Sequence, residues 1–200
     1  MSIERRVQLV ESLFHQLEQE TAQFKQASGI GCVSGCGKCC TYPDVEASPL
    51  EFLPWAFDLF LNREAEKTLA MLKETKTSTC LIYKPLAIID QGRCSSYNYR
   101  GLICRLFGFA ANSDKYGNLR LATCKIIKEG QADNYNSTAE AISKGLYVPV
   151  FTEYYMQLNQ IDFHLGNIIV PVNKALRMAL EEVLQYYAYR PSPDVKKRCL

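Results

Sequence analysis

Cys32-Val-Ser-Gly-Cys36-Gly-Lys-Cys39-Cys40 places four thiols inside nine residues, and this stretch decides how the rest of the chain is read. Four more cysteines follow at Cys80, Cys94, Cys104 and Cys124, and Cys199 stands alone near the end. Core packing does not account for eight thiols interleaved with glycine and basic residues. The sulfur is there to bind something, and disulfides, zinc and iron–sulfur compete as the chemistry.

Disulfides require an oxidising compartment. The chain enters a charged amphipathic pattern directly at Met1-Ser-Ile-Glu-Arg-Arg-Val, without the apolar run of an export signal. No stretch approaches the roughly 18 apolar residues of a membrane span. The expectation is a cytoplasmic protein, not bound to a membrane, in which a dense cysteine set means metal. Two hundred residues at 48% hydrophobic content suffice for a single domain over residues 1–190, with a tail at 191–200. A net charge of +2, with basic residues scattered, argues against nucleic acid as a partner. The one basic run, Lys196-Lys197-Arg198, lies in that tail, which reads as a solvated end with a free Cys199 thiol.

Apolar positions at Ile3, Val7, Val10, Phe14, Leu17, Thr21 and Phe24 predict a helix over 3–27, stopped at Gly29. Ser48-Pro49-Leu50-Glu51 is a capping box with proline at the first helical position. The helix it opens runs toward Leu61 and is kinked or restarted at Pro54, and Asn62 is read as the cap of another through Glu74. Within a cysteine-cluster core over 30–125, residues 81–89 and 92–99 read as short extended pieces. Residues 106–111 and 119–123 read as a hairpin across Asp114-Lys-Tyr-Gly-Asn118. The C-terminal helices, 137–189, open on a second capping box, Ser137-Thr-Ala-Glu140. Their stripes are Val150, Tyr154, Leu158 and Ile161, ended by Gly166, and then Leu176, Leu180, Val183 and Tyr187 after Pro171. The fold class is mainly α: a helical scaffold around an irregular cysteine-rich metal core with short β-hairpins.

Cys32, Cys36 and Cys39 have the two- and three-residue separations that let thiolates converge from one turn. Cys39 and Cys40 are adjacent and leave the backbone in different directions, which implies two neighbouring sites or a supporting role for one of them. Eight cysteines divide into four and four, but sequence does not say how. The two histidines, His15 and His164, lie on helical segments outside the cysteine block, so all-cysteine ligation is expected. Cys₄ zinc and an oxidised four-iron cluster both carry a formal charge of about −2. Lys38, Arg93, Arg100, Arg105 and Lys125 stand close enough in sequence to the cysteines to offset it and to donate to sulfur. The Cys-x₃-Cys-x₂-Cys spacing is also that of radical S-adenosylmethionine enzymes. Those place an aromatic residue where Lys38 stands, and they need repeated strand–helix units that this pattern lacks.

Cys32-x₃-Cys36-Gly-Lys-Cys39-Cys40, followed by Gly92-Arg-Cys94-Ser-Ser-Tyr97-Asn-Tyr-Arg100-Gly-Leu-Ile-Cys104-Arg105, resembles the YkgJ-like cysteine-cluster family, a zinc- or iron-chelating domain of bacterial type. The resemblance implies Cys32, Cys36, Cys39, Cys40, Cys80, Cys94, Cys104 and Cys124 as metal ligands. Tyr97, Arg100 and Arg105 match its other motif positions, and Lys38, Arg100 and Arg105 are the expected cofactor-binding residues. Leu81 stands where the family has proline after the fifth cysteine, and Gly101 replaces the proline after Arg100.

The resulting expectation is a metal-binding protein whose all-cysteine core holds an iron–sulfur cluster, 4Fe–4S in type, as one or two centres. Compact cysteine spacing favours a cluster, because structural zinc usually takes two separated Cys-x₂₋₄-Cys knuckles. Zinc in a structural or interaction domain, and an enzyme of redox or methyl-transfer type supported by the cluster, are the alternatives. The chain has no GxGxxG, P-loop, HExxH or G-x-S-x-G. Phe107, Phe109 and the C-terminal tyrosines are the candidate surface for a protein partner.

Overall fold

One face of the first helix is apolar along its whole length, and most of the chain is arranged to cover it. The computed structural model describes residues 1–33, 35–87 and 91–193. Its helices are α1 (Ile3–Ser28), α2 (Lys38–Thr41), α3 (Leu53–Leu61), α4 (Ala65–Glu74) and α5 (Leu102–Leu106). After these come α6 (Lys125–Gly130), α7 (Ala132–Ser143), α8 (Phe151–Ile161), α9 (Phe163–Gly166) and α10 (Val172–Tyr187). The strands form three antiparallel pairs: β1 (Glu46–Ala47) with β6 (Val170–Pro171), β2 (Tyr83–Pro85) with β3 (Gly92–Cys94), and β4 (Ala110–Ser113) with β5 (Leu119–Ala122).

Ser2 caps α1 by accepting from the Arg5 N–H at 3.3 Å, and Gly29 ends it in the left-handed region at φ 66°, where glycine carries no Cβ penalty. Every apolar position on the expected stripe is buried. The helix spans two cores. Ile3, Val7, Val10 and Leu17 join α3, α8 and α10 in the larger one, whereas Phe24 joins Ile30, Phe109, Ile127, Ile142 and Val148 in the smaller. Each fully buried leucine or phenylalanine here contributes about 1.5–3 kcal/mol over its exposed state. The cysteine segments lie along both cores: Cys80 and Cys94 pack on the larger, Cys124 on the smaller.

Ser48-Pro-Leu-Glu51 folds as the capping box that was read from it. The Ser48 N–H donates to Glu51 Oε1 at 2.7 Å and the Glu51 N–H to Ser48 Oγ at 3.4 Å. The chain then makes one 3₁₀ turn at Leu50–Phe52 and restarts as α3, with Pro54 at its first positions, where a missing N–H costs nothing.

Four local expectations need correction. Asn62 ends α3 and does not start α4; its N–H donates to the Asp58 carbonyl, and Glu64 precedes α4. Ser137 lies inside α7, bonding back to Asp133 O and Asn134 O, so the helix begins five residues before the apparent capping box. Residues 97–99 are a 3₁₀ turn, and residues up to Leu106 belong to α5, so the hairpin strand starts only at Ala110. The break after α8 is made by Asp162, whose carboxylate caps α9, and Gly166 lies within α9. Residues 88–90 of the expected extended piece, Cys199 and the Lys196–Arg198 run lie outside the described residues.

Arg6 ties the two ends of the chain together. Buried on α1, it donates to Asp162 Oδ2 at 2.8 Å and to Glu182 Oε1 at 2.7 Å, joining the start of α9 and the middle of α10. Arg6→Ala leaves two partly buried carboxylates facing each other. It should cost about 2–4 kcal/mol in urea unfolding, below a fully buried pair because both carboxylates keep some solvent.

Candidate metal centre

The cysteines reach one region because backbone and side-chain contacts hold three loops against each other. After α1 the chain is fixed by Gln131, which accepts from the Gly31 N–H at 3.0 Å and donates to the Gly31 carbonyl at 2.6 Å. Gln131 sits between α6 and α7, so Cys32 is carried beside Cys124, which caps α6 and accepts the Ile127 N–H on its sulfur at 3.4 Å. Gly37 turns the chain in the left-handed region, φ 58°, into α2, which carries Cys39 and Cys40. A Cβ at Gly37 would lie 2.7 Å from the Gly92 carbonyl oxygen, so this loop and β3 approach too closely for any other residue.

Cys40 is bonded through its carbonyl to the Cys80 N–H at 3.1 Å, and the Gly35 carbonyl to the Gly92 N–H at 3.0 Å. Cys80 then turns into β2, whose Tyr83 lies opposite Cys94 on β3. Asn173 of α10 braces this loop, accepting the Leu81 N–H at 2.8 Å and donating to the carbonyls of Thr77 and Thr79. Cys104 rides on α5. That helix is capped from a distance by Glu51, whose Oε2 accepts the Ile103 N–H at 2.8 Å.

All eight of these cysteines are free thiols. Their electrostatic neighbourhoods overlap: Cys32 is influenced by Cys36, Cys39 and Cys124, whereas Cys40 is influenced by Cys39, Cys104 and Cys80. Cys80 is influenced by Cys94 and Cys39, and Cys104 by Cys80, Cys39 and Cys94. A hydrogen bond between the adjacent thiols draws Cys39 down to about 6 and pushes Cys40 up. Burial pushes Cys80 up to about 11 and also raises Cys32 and Cys94. Cys104 is raised by desolvation and then by Glu51.

In the thiol rotamers present, no three cysteine, histidine, aspartate or glutamate groups among the described residues converge tightly enough to hold a metal ion. The sulfurs are instead engaged with the protein itself: Cys32 with the Val33 carbonyl, Cys39 with Cys40, and Cys124 with the Ile127 N–H. The donor set, eight free thiols, suits zinc or an iron–sulfur cluster and no harder metal.

The basic residues divide. Arg100 is the cation closest in influence to the thiols, lowering Cys39 and Cys94; its guanidinium lies 4.1 Å over the Tyr97 ring and 3.9 Å from Glu18. Arg105 is buried and occupied by protein groups: Nε donates to Arg100 O at 3.0 Å, Nη2 to Asn98 O at 2.7 Å, and Nη1 pairs with Glu18. It clamps the 3₁₀ turn between Cys94 and Cys104 onto α1. Lys38 is exposed on α2, and Lys125 pairs with Glu129 at 3.6 Å. His15 lies on α1 and His164 on α9.

Three contributors escaped the sequence reading. Lys25, over the Phe109 ring at 4.0 Å, lies within the field of Cys32 although seven residues separate them. Gln131 and Asn173 carry no motif signal at all. Glu51 was legible as a capping-box residue, but its second bond, to the α5 N-terminus, depends on tertiary contact. Burial raises its carboxyl to about 7 against the opposing hydrogen bonds from Ile103, Ser48 and Tyr155.

Residues 31–132, half of the chain, match the family model described as "CxxCxxCC: Putative zinc- or iron-chelating domain", and the chain belongs to that family. Metal binding by a cysteine-rich domain is therefore its property. No curated protein and no solved structure matches the chain. Among the described residues, no helix is long and apolar enough to cross a membrane.

Gly101 has an ordinary φ of −66°, so backbone conformation does not demand glycine there. Space does: a Cβ would meet Glu51 Oε2 at 2.6 Å and the Phe52 ring at 2.8 Å. Gly101→Ala should cost about 1–3 kcal/mol in denaturant unfolding, with the chelated protein affected as well as the loaded one. Because several thiols sit above their ordinary range, a metal must displace their protons, and affinity must rise with pH. Zinc competition titrations at about pH 6 and about pH 8 should show tighter binding at the higher pH, and equal affinities would exclude these thiols as ligands.

Proposed function

We propose that the chain is a cytoplasmic iron–sulfur protein whose cysteine core, Cys32, Cys36, Cys39, Cys40, Cys80, Cys94, Cys104 and Cys124, supplies the ligands of 4Fe–4S iron–sulfur, as one centre or two. One observation carries this reading. Cys39 lies in the electrostatic environment of Cys32, Cys40, Cys80, Cys94 and Cys104, so one short helix addresses thiols from both sides of the fold. Such density suits a polynuclear centre, which spreads its ligands over several metal atoms, better than a single tetrahedral ion.

A bound cluster supplies one-electron redox chemistry. The chain's own residues would fix the ligands and offset their charge. Rotation about χ1 would exchange the present thiol contacts for a shared centre. Arg100 and Lys25 would offset the thiolate charge, the first near Cys39 and Cys94 and the second near Cys32.

Zinc is favoured by a different observation. The β2–β3 hairpin pairs Cys94 with Tyr83, whose N–H donates to the Cys80 carbonyl at 3.0 Å, so two thiols fourteen positions apart are carried by one hairpin, as in a zinc knuckle built from tertiary contacts. Protein purified without oxygen should be brown, with broad visible absorption that bleaches on adding dithionite. Cys36→Ser and Cys104→Ser should both lose colour and melt at lower temperature, because ligand binding contributes directly to folding. Colourless protein carrying stoichiometric zinc and no iron, after growth in excess iron, would establish the zinc reading.

A further inference from the structure

The geometry points to two separate thiolate metal sites: an inner one of Cys40, Cys80, Cys94 and Cys104 on the larger core, and an outer one of Cys32, Cys36, Cys39 and Cys124 on the smaller. This rests on the metal-binding reading above and holds for either metal. The inner group is tied together by backbone. Cys80 donates its N–H to the Cys40 carbonyl at 3.1 Å, Cys94 lies on the strand paired with the one Cys80 leads into, and both pack on the larger core. Cys104 joins through α5, whose buried Leu102 and Leu106 belong to that same core.

The outer group is tied together by a different set of contacts. Gln131 holds Gly31, and with it Cys32, to the junction after α6, while Cys124 begins α6 and packs on the smaller core. Cys36 stands on the glycine-flanked loop that leads from Cys32 to α2, its N–H bonded to the Val33 carbonyl at 3.3 Å. Cys39 and Cys40 occupy consecutive positions on α2, which lies against β3, so one thiol is available to each group. That resolves why the motif ends in a cysteine pair. A single tetrahedral or cubane centre takes four thiolates, and eight grouped in this way make two.

The inner site is braced by the side chains of Asn173 and Glu51, whereas the loop carrying Cys32 and Cys36 is held by Gln131 at Gly31 and by a backbone bond from Gly92 to Gly35, and it turns through two left-handed glycines, Gly35 and Gly37. The outer site should therefore exchange its metal faster. The test uses the full chain, metal-loaded without oxygen, and reads metal per chain together with the time course of metal loss to EDTA. The parent should lose metal in two phases of similar amplitude. Cys124→Ser should retain about half the metal and lack the fast phase; Cys94→Ser should retain the fast phase and lack the slow one. A single phase in the parent, or loss of all metal from Cys124→Ser alone, would overturn the division. Cys94→Ser lies against the larger core, and if it fails to fold, the parent time course and Cys124→Ser still decide the outcome. Metal identity, read in the same preparation, tests the iron–sulfur reading independently of the count.

Discussion

The backbone of the cysteine-bearing loops has few helix or sheet partners of its own, and side chains from the helical scaffold supply what is missing. Gln131 bonds both polar groups of Gly31, Asn173 bonds three groups of the loop around Cys80, Arg105 bonds the carbonyls of Asn98 and Arg100, and Glu51 caps α5. A loop left without such partners would pay the desolvation of every buried N–H and C=O or would stay open to water. The scaffold is thus more than a lid over the core. It fixes where each thiol emerges.

Gathering thiols carries an electrostatic cost that the same scaffold moderates. Each thiolate raises the proton affinity of its neighbours, and burial together with neighbouring thiols displaces Cys80, Cys94 and Cys32 upward. Positive charge is held nearby but not freely. Glu18 pairs with Arg105 and lies near Arg100, so α1 orients both arginines and keeps Arg100 available to Cys39 and Cys94. Lys25, one turn before the end of the same helix, extends that influence to Cys32. A helix with no cysteine therefore sets much of the field in which the thiols sit.

Glu51 shows how tightly local and distant structure are joined. One oxygen closes the capping box at Ser48, and the other holds Ile103 beside Cys104, with the Tyr155 hydroxyl 3.3 Å from the first. Removing Glu51 would unsettle a helix start in the scaffold and the cysteine-bearing helix α5 together. The absence of a side chain at Gly101 belongs to the same arrangement, because Glu51 and Phe52 fill the space a Cβ would need.

Sequence alone determined that this is a mainly helical protein with a cysteine-based metal centre. The reasons are local: the apolar period of α1, α8 and α10 is written in consecutive residues, the capping box at Ser48–Glu51 spans four, and the cysteine motif is compact. The short helix α5 and the early start of α7 were not legible, since five residues show no period and Ser137 mimics a cap while sitting mid-helix. Only tertiary structure decided what surrounds the thiols. Cys80 meets Cys40 across forty residues, Gln131 meets Gly31 across a hundred, and Glu51 reaches α5 across fifty-two. Such contacts depend on where two cores place their loops, which no window of sequence around either partner can express.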